Sequence, residues 1–359
     1  MKKKWIVIPS LLVLTTLGAA ATMPMWRPVW ESHKPGPKLV VGSEMRTEAI
    51  DMLVARLNGH YIFPDKAKEI ETLLRQRQHE GKYDAITDGQ QLAKQLTDDL
   101  HSVAHDLHME VGFDPGLVPH DNAMGPPPTT LAEWEEHASF PVRIFRHVSK
   151  LGVEKVDHLS SNIGYLQISG FPPPFMVAEK YAAAMDKLAD TDGLIVDLRE
   201  NGGGGPETVA LLISYFVDQR TRLNDIWDRE TGITKEQWTA DKFEGKRYGG
   251  KRPVLILVGP GTMSAGEDFA YTMQALKRAT IIGKPTWGGA HPARPYRIGD
   301  HFYAVIPDAR TISPITKTNW EGVGVTPDIA ATPDNALAVA KDIMQRRLHG
   351  TAPVAATGH

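Results

Sequence analysis

The stretch VDLRENGGGGPETV, residues 196–209, carries the reading of the fold. It joins an apolar run, GLIVDL at 193–198, to a helical pattern opening at Pro206, with Gly202 to Gly205 between them. A near-continuous apolar run of that length suits a strand covered on both faces, and proline is favoured at the first position of a helix. Consecutive glycines are costly in chain entropy, so they point to a place where the backbone must come close to something. Such a loop aims free N–H groups, and the positive end of a helix dipole, at whatever sits above it. Nucleotide-binding motifs are not met: the chain has no GxxxxGK[ST], and these glycines do not complete GxGxxG. Two readings stay open, a flexible strand–helix turn and an oxyanion hole in which fixed amides face developing charge.

Working outward, IGYLQI (163–168), PVLILV (253–258) and FYAVI (302–306) also read as strands. Helical patterns lie between them at 175–189, 206–217 and 264–277. Strand–helix alternation predicts an α/β domain over residues 161–345, with a flexible tail at 346–359. Upstream, residues 44–113 are patterned as three short helices in a small bundle. Pro64 opens the second, Gly81 follows its end, and Thr87 or Asp88 can cap the third. Between bundle and α/β domain, residues 114–160 begin with the turn-rich DPGLVPHDNAMGPPPTT and read as a linker. No internal repeat is visible.

Composition narrows the chemistry. The 359 residues are 42% hydrophobic, and a formal net charge of −3 gives no reason to expect nucleic acid or an anionic membrane surface as partner. Cysteine is absent, which excludes disulfides, thiolate catalysis and Cys-based zinc sites. The N-terminus, MKKKWIVIPSLLVLTTLGAAATM, has a basic start, a short apolar core and Ala19-Ala20-Ala21 as a cleavage site. That is the pattern of a secretory signal peptide over residues 1–21, followed by a Pro- and Trp-rich linker at 22–43. The mature chain is therefore expected to be exported, periplasmic or secreted from a bacterium, with no stable membrane insertion once the leader is cleaved.

A second strand–helix junction is VGPGTMSAGEDFAY, residues 258–271. Ser264 and Glu267 match a capping box, in which each side chain satisfies an orphan amide at a helix start. The serine is also where a nucleophile could sit, because parallel strands bring both glycine-rich junctions to one sheet edge. The sequence is TMSAG, not the GxSxG elbow of α/β-hydrolases. A nucleophilic serine needs a base. His101, His105 and His108 share one helical stretch, with His101 and His105 read as solvated helix-end residues. His291 in TWGGAHP is a further candidate base, and Glu321 in NWEGVGVTPD a candidate orienting acid. HExxH is missing, and no metal or cofactor is expected.

Eight motifs, in order, then carry a family resemblance: HYIFPDKA, GKYDAITD, HDLHMEV, IGYLQI, GLIVDLRENGGG, SAGEDFAY, GKPTWGGAHP and WEGVGVTPDI. From about residue 45 to 330 the chain resembles the C-terminal processing (tail-specific) peptidases. It is closest to the branch with interphotoreceptor retinoid-binding protein repeats and the tricorn protease core. The resemblance implies a crotonase/Clp-like α/β catalytic core behind a helical bundle, and a serine peptidase acting on peptides or proteins. It implies Ser264 as nucleophile, and Gly204 and the Ala265 N–H as oxyanion donors, with Gly203 and Glu267 in support. The lysine base of the tail-specific enzymes is replaced by Gly289, and Lys284 does not match it. His108 and Glu321 instead match the tricorn-like base and its distal glutamate. Leu107 stands where the tricorn core has a hydroxyl residue, so a fourth polar helper is unassigned. The interval 115–160 is too short for the PDZ domain of the family, a module of roughly 80–100 residues on domain-size grounds. A non-catalytic binder of apolar ligands or peptides on the same fold is the alternative.

Overall fold

The computed structural model describes residues 39–118, 128–137 and 150–350. The expected leader, most of the 22–43 linker and residues 351–359 lie outside the described residues. In chain order the N-terminal part has α1 (Ser43–His60), α2 (Pro64–His79), α3 (Gly89–Ala104), β1 (Glu110–Phe113) and α4 (Leu131–His137). There follow β2 (Val153–Leu159), β3 (Ile163–Ile168), α5 (Pro174–Leu188), β4 (Gly193–Asp197), α6 (Pro206–Ser214), β5 (Asp225–Asp228) and β6 (Thr234–Lys235). The remainder is β7 (Val254–Val258), α7 (Ala265–Ala275), β8 (Thr280–Gly283), β9 (Ala293–Arg297), β10 (Phe302–Pro307), β11 (Ala309–Ile312), β12 (Ile329–Ala330) and α8 (Ala336–His349).

The main sheet runs β12-β8-β7-β4-β3-β2, parallel except for the antiparallel edge strand β2. Alternate residues of each central strand face opposite layers. Leu194, Val196, Ile256 and Val258 pack under α5, α6 and α7, while Ile195, Leu255 and Leu257 pack with Ala336, Ala340 and Met344 of α8. Both faces are thus covered, which is why these strands read as unbroken apolar runs. The stretch expected as a linker contributes β2 to this sheet. Its polar–apolar sequence VEKVDHL leaves one face half-exposed, as an edge strand can afford. Residues 346–349, expected in the tail, continue α8, whose last turn carries Arg346, Arg347 and His349 against the negative helix end. Among the described residues no helix is long and apolar enough to cross a membrane.

Asp88 caps α3, accepting the Gln91 N–H at 2.8 Å. The three helices share their core with the hairpin β9–β10, which pairs with β1 in a sheet ordered β1-β10-β9. FYAVI therefore belongs to this small sheet and not to the main one. Tyr296, Ile298, Phe302, Ala304 and Ile306 fill the space between the helices. This pairing holds the segment before β1 against the segment before β9. Phe302 is fully buried there, so Phe302→Ala should lower the unfolding free energy by about 3–5 kcal/mol, measured by urea titration.

Candidate active site

β4 and β7 are neighbours in register, Asp197 opposite Leu257, so the loops that follow them leave the same sheet edge. Asn201 stitches the two loops together. Its Nδ2 donates to Ile168 O at 3.0 Å, its Oδ1 accepts the Gly203 N–H at 3.0 Å, and its own carbonyl accepts the Met263 N–H at 2.8 Å. Gly203 lies directly against the serine: a Cβ there would be 2.9 Å from Ser264 Cβ. At Gly204, with φ of 139°, a Cβ would fall 2.1 Å from Phe171 O, so only glycine fits. The N–H groups of Gly202, Gly205 and Gly266 all donate within the backbone. Those of Gly204 and Ala265 have no protein acceptor among the described residues.

Ser264 sits at the mouth of α7 with φ 49° and ψ −115°, a conformation costing a non-glycine residue about 1–3 kcal/mol. Its N–H donates to Glu267 Oε2 at 2.9 Å, the glutamate half of the expected capping box. The buried Glu267 does more than cap. It also accepts from Thr286 Oγ1 at 2.5 Å and from the N–H groups of Gly288 at 2.6 Å and Gly289 at 3.0 Å. Burial pushes its carboxyl upward, and these four donors pull it back. Thr286 Oγ1 accepts in turn from the Val325 N–H at 2.7 Å, which draws in the loop that carries Glu321.

His108 reaches the site from the turn between α3 and β1, whose pairing with β10 fixes it in place. His105 ends α3 in the left-handed region. His101, expected to be solvated, is half-buried and its Nε2 lies 2.7 Å from Met109 O, steadying the same turn. The His108 ring stands edge-on to Trp287, centroids 4.9 Å apart. Its Nδ1 is sealed from solvent and unpartnered, and burial pulls its pKa down to about 4. A Cβ on Gly289 would lie 2.6 Å from His108 Cε1 and 2.3 Å from Trp287. Residue 289, where the family resemblance expects a lysine, can therefore hold no side chain while the Trp287 and His108 rings are in place.

Glu321 approaches from the loop before β12. Its Oε2 accepts from the N–H groups of Ala290 at 2.6 Å and His291 at 3.2 Å, while its Oε1 is buried and unpartnered. Burial first, and then the facing Asp106, push its carboxyl up to about 7. The adjacent Trp320 donates its indole N–H to Gly289 O at 2.8 Å. A ring nitrogen of His108 and one oxygen each of Asp106 and Glu321 lie within 4.8 Å of one another, a spacing a cation could bridge. Both Asp106 oxygens already accept protein donors, however: the His108 N–H at 3.3 Å and His291 Nδ1 at 2.8 Å. The structure thus joins Ser264, Gly203, Gly204 and Ala265 directly, and links them through Glu267 and Gly289 to His108 and Glu321. Asp106, Asn201 and Thr286 were not anticipated. His291, weighed as a base, faces Asp106 and Glu321 instead.

A mixed α/β sheet with two loop–helix junctions on one edge defines the class of fold. Within it, the description "Peptidase family S41" matches residues 162–331, and "N-terminal domain of Peptidase_S41 in eukaryotic IRBP" matches residues 43–145. The chain belongs to peptidase family S41. It is 28% identical over 178 residues to carboxyl-terminal-processing peptidase 2, chloroplastic, of Arabidopsis thaliana, covering 47% of this chain and 32% of that protein. To the tricorn protease of Thermoplasma volcanium it is 27% identical over 142 residues, covering 39% of this chain and 12% of the other. A crystal structure of the tricorn protease superposes with a TM-score of 0.56 at 16% identity, over 86% of this chain and 37% of that one, a likeness of fold. The chain spans less than half the length of these curated relatives.

Glu267→Gln would turn an NH₂ group toward the amides that now donate to the carboxylate. The variant should lose about 2–4 kcal/mol of unfolding free energy, read from the urea midpoint, since each stranded buried donor costs roughly 1–3 kcal/mol.

Proposed function

We propose that this protein is an exported serine peptidase acting on peptide or protein substrates. Ser264 is its nucleophile, His108 its base and Glu321 the acid that orients the base. The reading rests above all on the two unpartnered amides of Gly204 and Ala265, which flank a strained serine at a helix mouth. A ligand carrier needs neither the strain nor the open donors. Export rests on the leader pattern at residues 1–21.

In this mechanism Ser264 Oγ attacks the scissile carbonyl as its proton passes to His108 Nε2, the ring nitrogen that is not sealed in the protein. The carbonyl oxygen becomes an oxyanion that accepts from the Gly204 and Ala265 N–H groups, with the α7 dipole behind them. Collapse of the tetrahedral adduct breaks the C–N bond, and His108 returns the proton to the leaving amine. Water, deprotonated by the same imidazole, then hydrolyses the acyl-enzyme. Glu321 stabilises the imidazolium at each stage through Nδ1, where the two unpartnered buried atoms of the pair, His108 Nδ1 and Glu321 Oε1, would meet.

The pH dependence follows from the two groups. With a pKa of about 4, His108 is neutral and able to take a proton throughout the neutral range. Glu321 is an acid below about pH 7 and a carboxylate above it, and only the carboxylate supports an imidazolium. Activity should therefore rise with pH through about 7 and fall on acidification before His108 itself protonates. A fluorophosphonate probe tests this reading. Wild-type protein should label, with that pH profile; Ser264→Ala should not label, and His108→Gln should label roughly 10³-fold more slowly or worse. Equal labelling of wild type and Ser264→Ala would refute the assignment.

A further inference from the structure

Behind His108 and Glu321 lies a second imidazole–carboxylate pair that the peptidase mechanism above does not use. Asp106 and His291 are both buried, at 2% and 3% exposure, and they are separated by 185 residues in sequence. His291 Nδ1 lies 2.8 Å from Asp106 Oδ2 and 3.4 Å from Glu321 Oε2, so one ring N–H sits between two carboxyl groups. A carboxylate can only accept, which places the proton on Nδ1 of His291. The His291 main-chain N–H also donates to Glu321, and the His108 main-chain N–H to Asp106. The buried Tyr61 hydroxyl, just past the end of α1, also faces Asp106, whose charge, after burial, holds the phenol in its neutral form.

We propose that Asp106 and His291 are positioning residues for the peptidase reaction, a buried pair that holds Glu321 in place and governs when it ionises. The proposal rests on the roles assigned above to His108 and Glu321. The groups facing Glu321 among the described residues are Asp106 and His108 from the turn before β1, His291 from the segment before β9, and Tyr61 after α1. Asp106 disfavours the ionised form of Glu321, and His291 favours it. The pair acts from both sides. The His291 main-chain N–H fixes the carboxyl geometrically, the ring packs against it from Asp106, and the balance of charge around it sets the pH at which Glu321 can support the imidazolium.

The test measures the second-order rate of fluorophosphonate labelling against pH for wild type, Asp106→Asn and His291→Gln. Asp106→Asn keeps the shape and removes the charge, so the acid limb should move down by roughly one pH unit. His291→Gln leaves Asp106 uncompensated beside Glu321, so the limb should move up by a similar amount. A purely structural role would lower the plateau and leave the limb in place; unmoved limbs in both variants overturn the proposal. Should Asp106→Asn fail to fold, His291→Gln still tests the pair through its opposite direction. An independent readout is the ¹⁵N resonance of the His291 ring, which should register the ionisation of the neighbouring Glu321 as an inflection near pH 7 in wild type and lose it in Glu321→Gln. A flat wild-type curve overturns the pair even if labelling is normal. Wild-type protein that never labels but shows the inflection removes the peptidase reading and leaves the Asp106–His291–Glu321 coupling standing.

Discussion

The carboxylate of Glu267 sits where the start of α7 meets residues 286–289, and the site depends on it. One oxygen takes the Ser264 N–H and the Gly289 N–H; the other takes the Thr286 hydroxyl and the Gly288 N–H. Charge-assisted bonds of this kind contribute about 1.5–3 kcal/mol each, enough to offset the backbone strain stored at Ser264. Without that anchor the serine loop would have no fixed relation to residues 286–289. Those residues in turn touch the His108 ring through Trp287 and Trp320 through the Gly289 carbonyl, and they lead into Ala290 and His291, which hold Glu321. A residue that reads as an ordinary helix cap is thus also the tie between the Ser264 loop and the segment that packs on His108.

The sheet supplies the other half of the placement. Because β4 and β7 are adjacent and parallel, the glycine loop and the serine loop emerge side by side, and Asn201 needs to span only a few ångströms to lock them. His108 arrives by a different route. The β1–β10–β9 sheet is built on the helical core, yet it delivers the turn at 106–109 to the segment that precedes β9. The site therefore sits on the seam between the two packing units, and its geometry reports how well that seam is formed.

Much of this was legible in the sequence, for physical reasons that differ by residue. Strands covered on both faces declare themselves as apolar runs, and Ser264 with Glu267 declares a helix start. His108 and Glu321 were placed by family resemblance alone, because nothing in their local spacing brings them together. Asp106, Thr286 and His291 act across long sequence separations, where no periodicity reaches. FYAVI reads as one more strand of the α/β domain, yet Gly299-Asp300 between two β-rich stretches marks the hairpin that sets it in the small sheet. β2 reads as linker because its alternating polar residues hide an edge strand among turn-formers.

The vacancy at residue 289 has an evolutionary corollary. The Trp287 and His108 rings and any side chain on that glycine compete for one volume, so under the proposed mechanism a base at 108 and a side-chain base at 289 exclude each other while both rings stay in place. A lineage cannot drift from one to the other by single steps that each retain a working base. Installing a lysine first would displace both the Trp287 and His108 rings, and removing the histidine first would, under that mechanism, leave the serine with no base and Trp287 still in the way. Conversion demands paired replacement at two sites far apart in the chain, a valley that would keep the branches separate once they had diverged.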